Sequence, residues 1–488
     1  MLVTLDGSGP RYLQLYRGLR AAILGGKLAA GARLPSTRAL AVETGVARIT
    51  VMLCFEQLLA EGYAVARRGS GTYVATELPD HLDFPTRRVR VVTGSRSVAP
   101  RLSSYGDRIM ADRSPRPDWG ISGAPLPYDF RYGRPAFADF PHAVWRRLLT
   151  RRAREVSAPD LDYGHPAGSP VLREVIAEYL QRARAVNCTP EQIVIVNGSQ
   201  QGLDLAARVL LDRGDRVLLE DPHYAGARRV FAAAGARVMP AAVDADGLDI
   251  GAVRGARDRV RLAYVTPSHQ FPTGAVMSLP RRLALLAWAQ RAGVYVLEDD
   301  YDSEYRYAGR PVESLQGLDR AGRVIYAGTF SKLLFPALRL GYLVLPTPLV
   351  RPFLIGRALA HLGAATLEQL VLGDFFREGH FERHVRRSRA RNAARRSALL
   401  AAIAEHLGDR AEVSGSNAGV HVLLWLRGIG AERTAALIKR AARIGVGVYS
   451  VEPFYLKPPK RCGLLLGYAS LDEDAIRRGI QRLATVFP

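Results

Sequence analysis

The chain is poor in cysteine, lysine and long apolar runs, and each scarcity narrows what it can be. Its three cysteines, Cys54, Cys188 and Cys462, are odd in number and far apart, with no CxxC pair and no zinc spacing. No apolar run is long enough to cross a bilayer, so no membrane partner is expected. The opening Met-Leu-Val-Thr-Leu-Asp-Gly lacks the basic and apolar regions of a secretion signal, and a reducing cytoplasm is the expected compartment. Lysine stands only at 27, 332, 439, 457 and 460, so 63 of the 68 basic residues are arginines. Between Lys27 and Lys439 there is one lysine, Lys332. Chemistry that needs an amine in that stretch has one candidate.

At 488 residues the chain exceeds one ordinary core, so two or more domains are expected. The net charge of +22 is compatible with binding phosphates, but the arginine skew resembles a genomic base bias. Nor is the excess gathered at the start: residues 1–76 hold nine basic and four acidic side chains. Charge permits nucleic-acid binding and does not establish it.

From Tyr12 to Val74 the pattern predicts three helices and a hairpin. Leu13, Tyr16, Leu19, Ile23 and Leu24 recur at helical spacing before Gly25-Gly26. Ser36 or Thr37 caps a second helix that Gly45 ends, and a third runs from Ala47 to Glu61. Its expected inner face is Val51, Phe55, Leu58 and Leu59, with Arg48, Thr50 and Met52 outward. Tyr63–Ala66 and Thr72–Val74 read as strands around a tip, Arg67-Arg68-Gly69-Ser70-Gly71. Residues 77–125, with prolines at 79, 85, 100, 115, 117 and 125, read as a linker. Thereafter helical stretches alternate with apolar strands at Gln192–Val196, Arg216–Glu220, Arg261–Val265, Val294–Leu297, Val324–Ala327 and Leu340–Val344. That alternation predicts an α/β domain with a mainly parallel sheet over 126–488.

Helix, tight turn, helix and basic wing is an arrangement that lays one helix in the major groove of double-stranded DNA. Arg48 and Thr50 fall on the first turn of the third helix, where side chains reach base edges. Arg33, Arg38, Arg67 and Arg68 are candidates for phosphate contacts, which position without reading sequence. A small helical domain with a solvated basic face has the same periodicity. The wording is more specific: Ala32-Arg-Leu-Pro-Ser-Thr-Arg-Ala-Leu-Ala, Gly45-Val-Ala-Arg-Ile-Thr-Val and Arg68-Gly-Ser-Gly-Thr-Tyr-Val. Residues 11–75 closely resemble the GntR-type winged helix. That resemblance implies a DNA-binding domain over 1–76, with Ser36, Arg38, Arg48, Thr50 and the glycine-rich tip at Gly71 near DNA. Ala47 and Ile49 depart from the usual pattern, so base preference does not carry over.

In the larger domain, Val294-Tyr-Val-Leu leads into Glu298-Asp299-Asp300-Tyr301. Alone, such a cluster suits a divalent metal as well as a pyridinium partner. The next strand leads into Gly328-Thr-Phe-Ser-Lys332, a lysine among small hydroxyl side chains, with Arg339 further on. Thr329, Ser331 and Arg339 suit phosphate oxygens, and Lys332 can react only with its pKa lowered. Upstream, Asn197-Gly-Ser-Gln200 opens a helix whose amides favour an anion, and Tyr224 is placed to stack on a ring. Singly, each fragment is ordinary: a capping serine, a surface tyrosine, a structural arginine.

In this order they closely resemble fold-type I aminotransferases, and more narrowly the MocR-type regulators, in which a GntR winged helix precedes such a domain. The strings are Tyr163-Gly-His-Pro-Ala-Gly, Gly198-Ser-Gln-Gln-Gly-Leu-Asp, Thr266-Pro-Ser-His-Gln-Phe-Pro-Thr-Gly, Glu298-Asp-Asp-Tyr-Asp, Gly328-Thr-Phe-Ser-Lys-Leu and Arg339-Leu-Gly-Tyr. The resemblance implies a fold-type I domain with a smaller C-terminal α+β part and pyridoxal 5′-phosphate as cofactor. By it, Lys332 forms the aldimine, Asp299 pairs with the ring nitrogen and Tyr301 reaches the 3′-oxygen. Ser199, Gln200, Ser331 and Arg339 hold phosphate, and Tyr224 stacks. It also implies a homodimer in which Tyr163 approaches the partner's phosphate. Two positions depart. Phe271 stands where aminotransferases carry asparagine, and Gly226 stands where a studied regulator carries an arginine for its effector's carboxylate; Arg228 or Arg461 are possible substitutes. The expected function is a regulator that senses a small amino compound by aldimine exchange at Lys332. The alternative is a working aminotransferase with a DNA-binding appendage.

Overall fold

In the computed structural model, residues 5–67, 69–78, 101–112, 126–253, 260–307, 313–363 and 365–487 are described. They fall in two units, Met1–Pro100 and Arg101–Pro488. The first holds α1 (Arg11–Leu24), α2 (Thr37–Thr44), α3 (Arg48–Ala60), β1 (Ala64–Arg67) and β2 (Gly71–Val74). Ser36 caps α2 by accepting from the Ala39 amide at 3.1 Å, and Gly45 ends it in the left-handed region. On α3, Val51, Phe55 and Leu58 turn inward together with Cys54, while Leu59 is only half-buried. On α1 the inner stripe is Leu15, Leu19, Ala22 and Ile23; this i, i+4, i+7, i+8 spacing turns Leu24 out to solvent. Arg67, expected in the hairpin tip, instead closes β1 opposite Gly71, because pairing continues one step further than anticipated. Residues 32–34 add a short third edge, with the Leu34 amide donating to the Thr72 carbonyl. Arg68 lies outside the described residues.

The second unit begins with a helix not anticipated within the proline-rich stretch, α4 (Ser104–Ala111), started by Ser103 accepting from the Gly106 amide at 3.1 Å. The six prolines of that stretch lie outside the described residues. There follow β3 (Tyr128–Asp129), α5 (His142–Glu155), α6 (Ala158–Leu161), α7 (Pro170–Arg184), β4 (Ile193–Val196) and α8 (Ser199–Leu210). Next come β5 (Arg216–Asp221), α9 (Ala225–Ala234), β6 (Arg237–Asp244), β7 (Gly247–Leu248), β8 (Val260–Val265) and α10 (Leu279–Ala292). After them come β9 (Tyr295–Asp300), α11 (Leu315–Leu318), β10 (Val324–Thr329), β11 (Gly341–Val344), α12 (Thr347–His361) and α13 (Thr366–Arg377).

Apart from β3, these strands form one sheet in the order β4-β11-β10-β9-β8-β5-β6-β7. Neighbours from β10 to β6 run parallel; β11 is antiparallel to both β4 and β10, and β7 turns back at the far edge. The six anticipated strands are all present, with every end within three residues of the one expected. Ile193–Val196 is fully buried, as helices on both faces require. β6 was not legible because it carries Pro240 and is exposed at both ends, so it shows no apolar run.

The remainder is a smaller α+β part: α14 (His380–His406), β12 (Ala411–Ser414), β13 (His421–Gly430), α15 (Thr434–Arg443), β14 (Val446–Gly447), β15 (Tyr449–Ser450), β16 (Arg461–Gly467) and α16 (Glu473–Ala484). Its antiparallel sheet runs β12-β13-β16-β15, while β14 pairs with β3 and so draws residues 128–129 into this part. Among the described residues no helix is long and apolar enough to cross a membrane.

One buried ion pair joins the end of α7 to the large sheet. Arg184 donates to Asp300 at 2.9 Å and to Ser268 at 2.8 Å, and the Tyr326 hydroxyl donates to the same Asp300 oxygen at 2.6 Å. Removing one partner strands the other charge, so Arg184→Ala is expected to destabilise the second unit by about 3–5 kcal/mol, read from its denaturant midpoint.

Candidate cofactor site and nucleic-acid interface

In a parallel sheet the strand C-termini share one edge, and loops leaving them meet there. Here the ends of β4, β5, β8, β9 and β10 open onto a cavity of about 490 Å³. Lys332, three residues past β10, is half-buried in its wall, and its Nζ donates to the Gly133 carbonyl at 2.9 Å. Burial lowers the lysine's pKa, against the pull of Asp302 and Asp299.

Asp299 is buried in the same cavity. The Tyr264 hydroxyl donates to its Oδ2 at 2.7 Å, and its Oδ1 has no partner among the described residues. Burial pushes its carboxyl up to about 6, opposed by the Tyr264 hydrogen bond and by Lys332. The rest of the acidic run points elsewhere, since alternate residues of a strand face opposite sides. Glu298 accepts from the amides of Leu315 and Gln316, and Asp300 serves Arg184 and Tyr326. The run therefore offers no convergent metal ligands.

Gly198, two residues past β4, takes φ +80° as the N-cap of α8, which Ser199 starts. A side chain on Gly198 would meet Arg339 Nη2 at 2.7 Å, so glycine lets the guanidinium close over the helix start. Arg339 donates to the Asn197 carbonyl at 2.7 Å. Ser199, Gln200, Thr329, Ser331 and Arg339 line one end of the cavity, an anion cup of hydroxyls, amides and one guanidinium. Thr329 Oγ1 already accepts from the Ser331 amide at 3.2 Å. Tyr224 holds Gln200 through its hydroxyl at 3.3 Å, and its ring folds back over Gly226. A Cβ at Gly226 would lie 2.5 Å from that ring, so an arginine there is incompatible with this position of Tyr224. Phe271 closes the wall, edge-on to Tyr224 and Tyr301 with ring centres 6.0 and 6.1 Å away.

The sequence reading missed several neighbours. His269 Nδ1 lies 3.0 Å from the Tyr301 hydroxyl and 3.0 Å from Asp302 Oδ2, so a buried pair orients that tyrosine. His269, Asp302 and His421 bring their donor atoms within 4.8 Å of one another, with His269 Nδ1 committed as just described. Neither Arg228 nor Arg461 lines the cavity; Arg461 pairs with Glu412 at 3.1 Å. Arg131 and Arg134 do line it, both beside Asp129. No spacing marked them, because β3–β14 pairing brings them in from far along the chain. Tyr163 stands outside, 72 % exposed.

An orphaned buried carboxylate oxygen, an amine and an anion cup around one cavity match the ring nitrogen, aldehyde and phosphate of pyridoxal phosphate. The donor set fits that group.

In the first unit, Arg48 and Thr50 occupy the first turn of α3, and Arg48 Nε reaches Thr37 Oγ1 at 3.4 Å. Arg38 is exposed at the start of α2, two residues after the capping Ser36, whose hydroxyl oxygen accepts from the Ala39 amide. Arg33 packs against Gly71, and Arg67 lies over the Tyr73 ring at 4.7 Å. These side chains stand on two helix starts and one wing.

Residues 11–74 match the gntR family of bacterial regulatory proteins, and residues 138–483 match aminotransferase class I and II. The probable rhizopine catabolism regulatory protein MocR of Rhizobium meliloti is 40% identical over 100% of this chain and 96% of its own. The uncharacterized HTH-type transcriptional regulator YdeL of Bacillus subtilis is 35% identical over 97% of this chain and 96% of its own. Among solved structures, the α-aminoadipate aminotransferase LysN of Thermus thermophilus, complexed with N-(5′-phosphopyridoxyl)-L-leucine, is 31% identical with a TM-score of 0.67, covering 74% of this chain and 91% of that one. The chain therefore belongs to the MocR-type regulators, in which a gntR-family winged helix is joined to a fold-type I domain of aminotransferase class I and II.

Proposed function

We propose that this protein is a transcriptional regulator that binds double-stranded DNA through its winged helix and holds pyridoxal phosphate in its larger unit to sense a small amino compound. The observation that carries the reading is that Lys332 and Asp299, whose Oδ1 has no partner among the described residues, line one cavity. When bound, the cofactor supplies an aldehyde that condenses reversibly with primary amines. Asp299 would hold a proton on the ring nitrogen, Tyr301 would face the 3′-oxygen, and Tyr224 would cover the ring. Ser199, Gln200, Thr329, Ser331 and Arg339 would anchor phosphate. Lys332 would share the aldehyde with the effector's amine, giving up or regaining its bond to Gly133 as it does so. Arg48 and Thr50 would read bases, and Ser36, Arg33, Arg38, Arg67, Arg68 and the tip at Gly71 would contact the backbone.

A homodimer is part of this reading. Leu161, Tyr163, Leu359 and Leu362 are 76, 72, 86 and 59 % exposed, and a Cβ on Gly363 would touch the Tyr163 carbonyl, so loop and helix end present one apolar surface. Its edge reaches the cup, where His361 meets Asn197. Tyr163 would approach the partner's phosphate from there. The three cysteines are free and buried, in keeping with a cytoplasmic location.

The purified protein is expected to be yellow, and Lys332→Ala to lose that absorption band together with any response to amines. Arg48→Ala should weaken binding to the gene's own upstream DNA by about ten- to hundredfold in a mobility-shift assay, the value of one bidentate base contact. Sustained keto-acid production from an amine donor at ordinary turnover would instead favour the aminotransferase reading.

Asp299 gives a pH prediction. With its carboxyl near 6, it is ionised at pH 7 and protonated at pH 5. Only the ionised form favours a protonated ring nitrogen, so cofactor affinity is expected to fall as pH drops, by up to about tenfold per unit below 6. Fluorescence titration across pH 5–8 measures this. Asp299→Asn should bind weakly at pH 7 and lose most of the slope, leaving what the cofactor's own phosphate contributes.

A further inference from the structure

Most of the chain's positive excess lies outside the winged helix, and part of it is concentrated on one face of the larger unit. That face is built from α5 and the first turns of α14, around two grooves of about 470 and 310 Å³. Contacts of Arg147 and Arg151 with His380 and Glu378 join the two grooves.

Some arginines here are structural. Arg151 and Arg152 are spent on Asp374 at 2.7 Å or closer, and Arg383 donates to the Glu378 carbonyl at 2.7 Å. Four others are not. Arg146, Arg154, Arg386 and Arg387 are exposed and have no carboxylate within 4 Å among the described residues. Arg146, Thr150 and Arg154 recur every four residues along α5, a span of roughly 12 Å at 1.5 Å per residue. A DNA strand rises about 3.4 Å per phosphate, so that row can follow several phosphates.

We infer that this face of the aminotransferase-like unit is a second, sequence-independent DNA surface, which grips backbone phosphate through Arg146, Arg154, Arg386 and Arg387. The inference goes beyond base reading by the winged helix and does not depend on the cofactor. Like charge argues against a second copy as occupant, since a symmetric contact would oppose arginine to arginine. A polyanion neutralises all four at once. Duplex DNA is the polyanion for which the chain already carries a reading head.

Phosphate contacts release counterions, so each adds roughly 0.9 to the slope of log affinity against log salt. The test uses the full-length chain, a random-sequence duplex of about 40 base pairs and the gene's own upstream DNA. The fourfold variant R146A/R154A/R386A/R387A is compared with K439A/R440A/R443A/R478A, which removes the same charge from exposed positions elsewhere. The face variant is expected to lose about 2–4 from the salt slope on both duplexes and to bind each about tenfold or more weakly. The ratio between the two duplexes should be unchanged, and the control should keep the wild-type slope. Equal slopes in the two variants overturn the proposal. So does an altered sedimentation coefficient in the face variant with its slope unaltered, which assigns the face to contact between copies. A wild-type protein without preference for its upstream DNA counts against the winged-helix reading, while the slope comparison still decides this one.

Discussion

The hydrogen bond from the Tyr264 hydroxyl to Asp299 is the contact on which the cavity depends. A carboxylate buried at a strand end would turn toward whatever donor is nearest and lose its aim. Tyr264, at the end of the neighbouring parallel strand β8, takes one oxygen at 2.7 Å and leaves the other buried and without a partner among the described residues. Parallel order makes this possible, because β8 and β9 end on the same edge. The alternation that sends Glu298 and Asp300 into structural bonds also isolates Asp299 as a single charge. Burial then raises its pKa, and a protonated ring nitrogen is what would repay that raised energy.

Local motifs made much of this legible. Lys332 stood alone by elimination, and Asp299, Ser199 and Arg339 lie beside strand ends that apolar runs revealed. The winged helix was visible because caps, spacing and glycine turns are all short-range. What stayed hidden depends on contacts made at long range. Arg131 and Arg134 reach the cavity through the pairing of β3 with β14, over three hundred residues apart in sequence. His269 and Asp302 lie inside quoted strings, yet only folding shows that they hold Tyr301. The helix at 104–111 escaped notice because its cap is a serine in a stretch dominated by prolines, and its partner is α9, met through Arg108 and the Ala233 carbonyl at 2.8 Å.

Gly226 shows how a departure from a relative can be read physically. Its missing side chain leaves space that the Tyr224 ring fills, and Phe271 stands edge-on beyond it. The wall is aromatic where a guanidinium would otherwise point inward. On the proposed reading an effector would meet shape and ring contacts on that side, and Arg131 and Arg134 add guanidinium groups to the cavity's lining.

That segment also connects the cavity to the rest of the unit. Residues 128–129 belong by pairing to the smaller α+β part, where the Tyr449 hydroxyl donates to Asp129 at 2.6 Å. Gly133, four residues on, accepts the hydrogen bond of Lys332, which belongs to the large sheet. The lysine thus contributes one of several hydrogen bonds between the large sheet's loops and the smaller part, beside those from the His223 amide to the Phe454 carbonyl and from the Leu456 amide to Asp221. A ligand shifts a conformational equilibrium only through interactions that differ between the two states. Under the proposed function Lys332 would supply such a difference, since engaging its nitrogen would break its bond to Gly133.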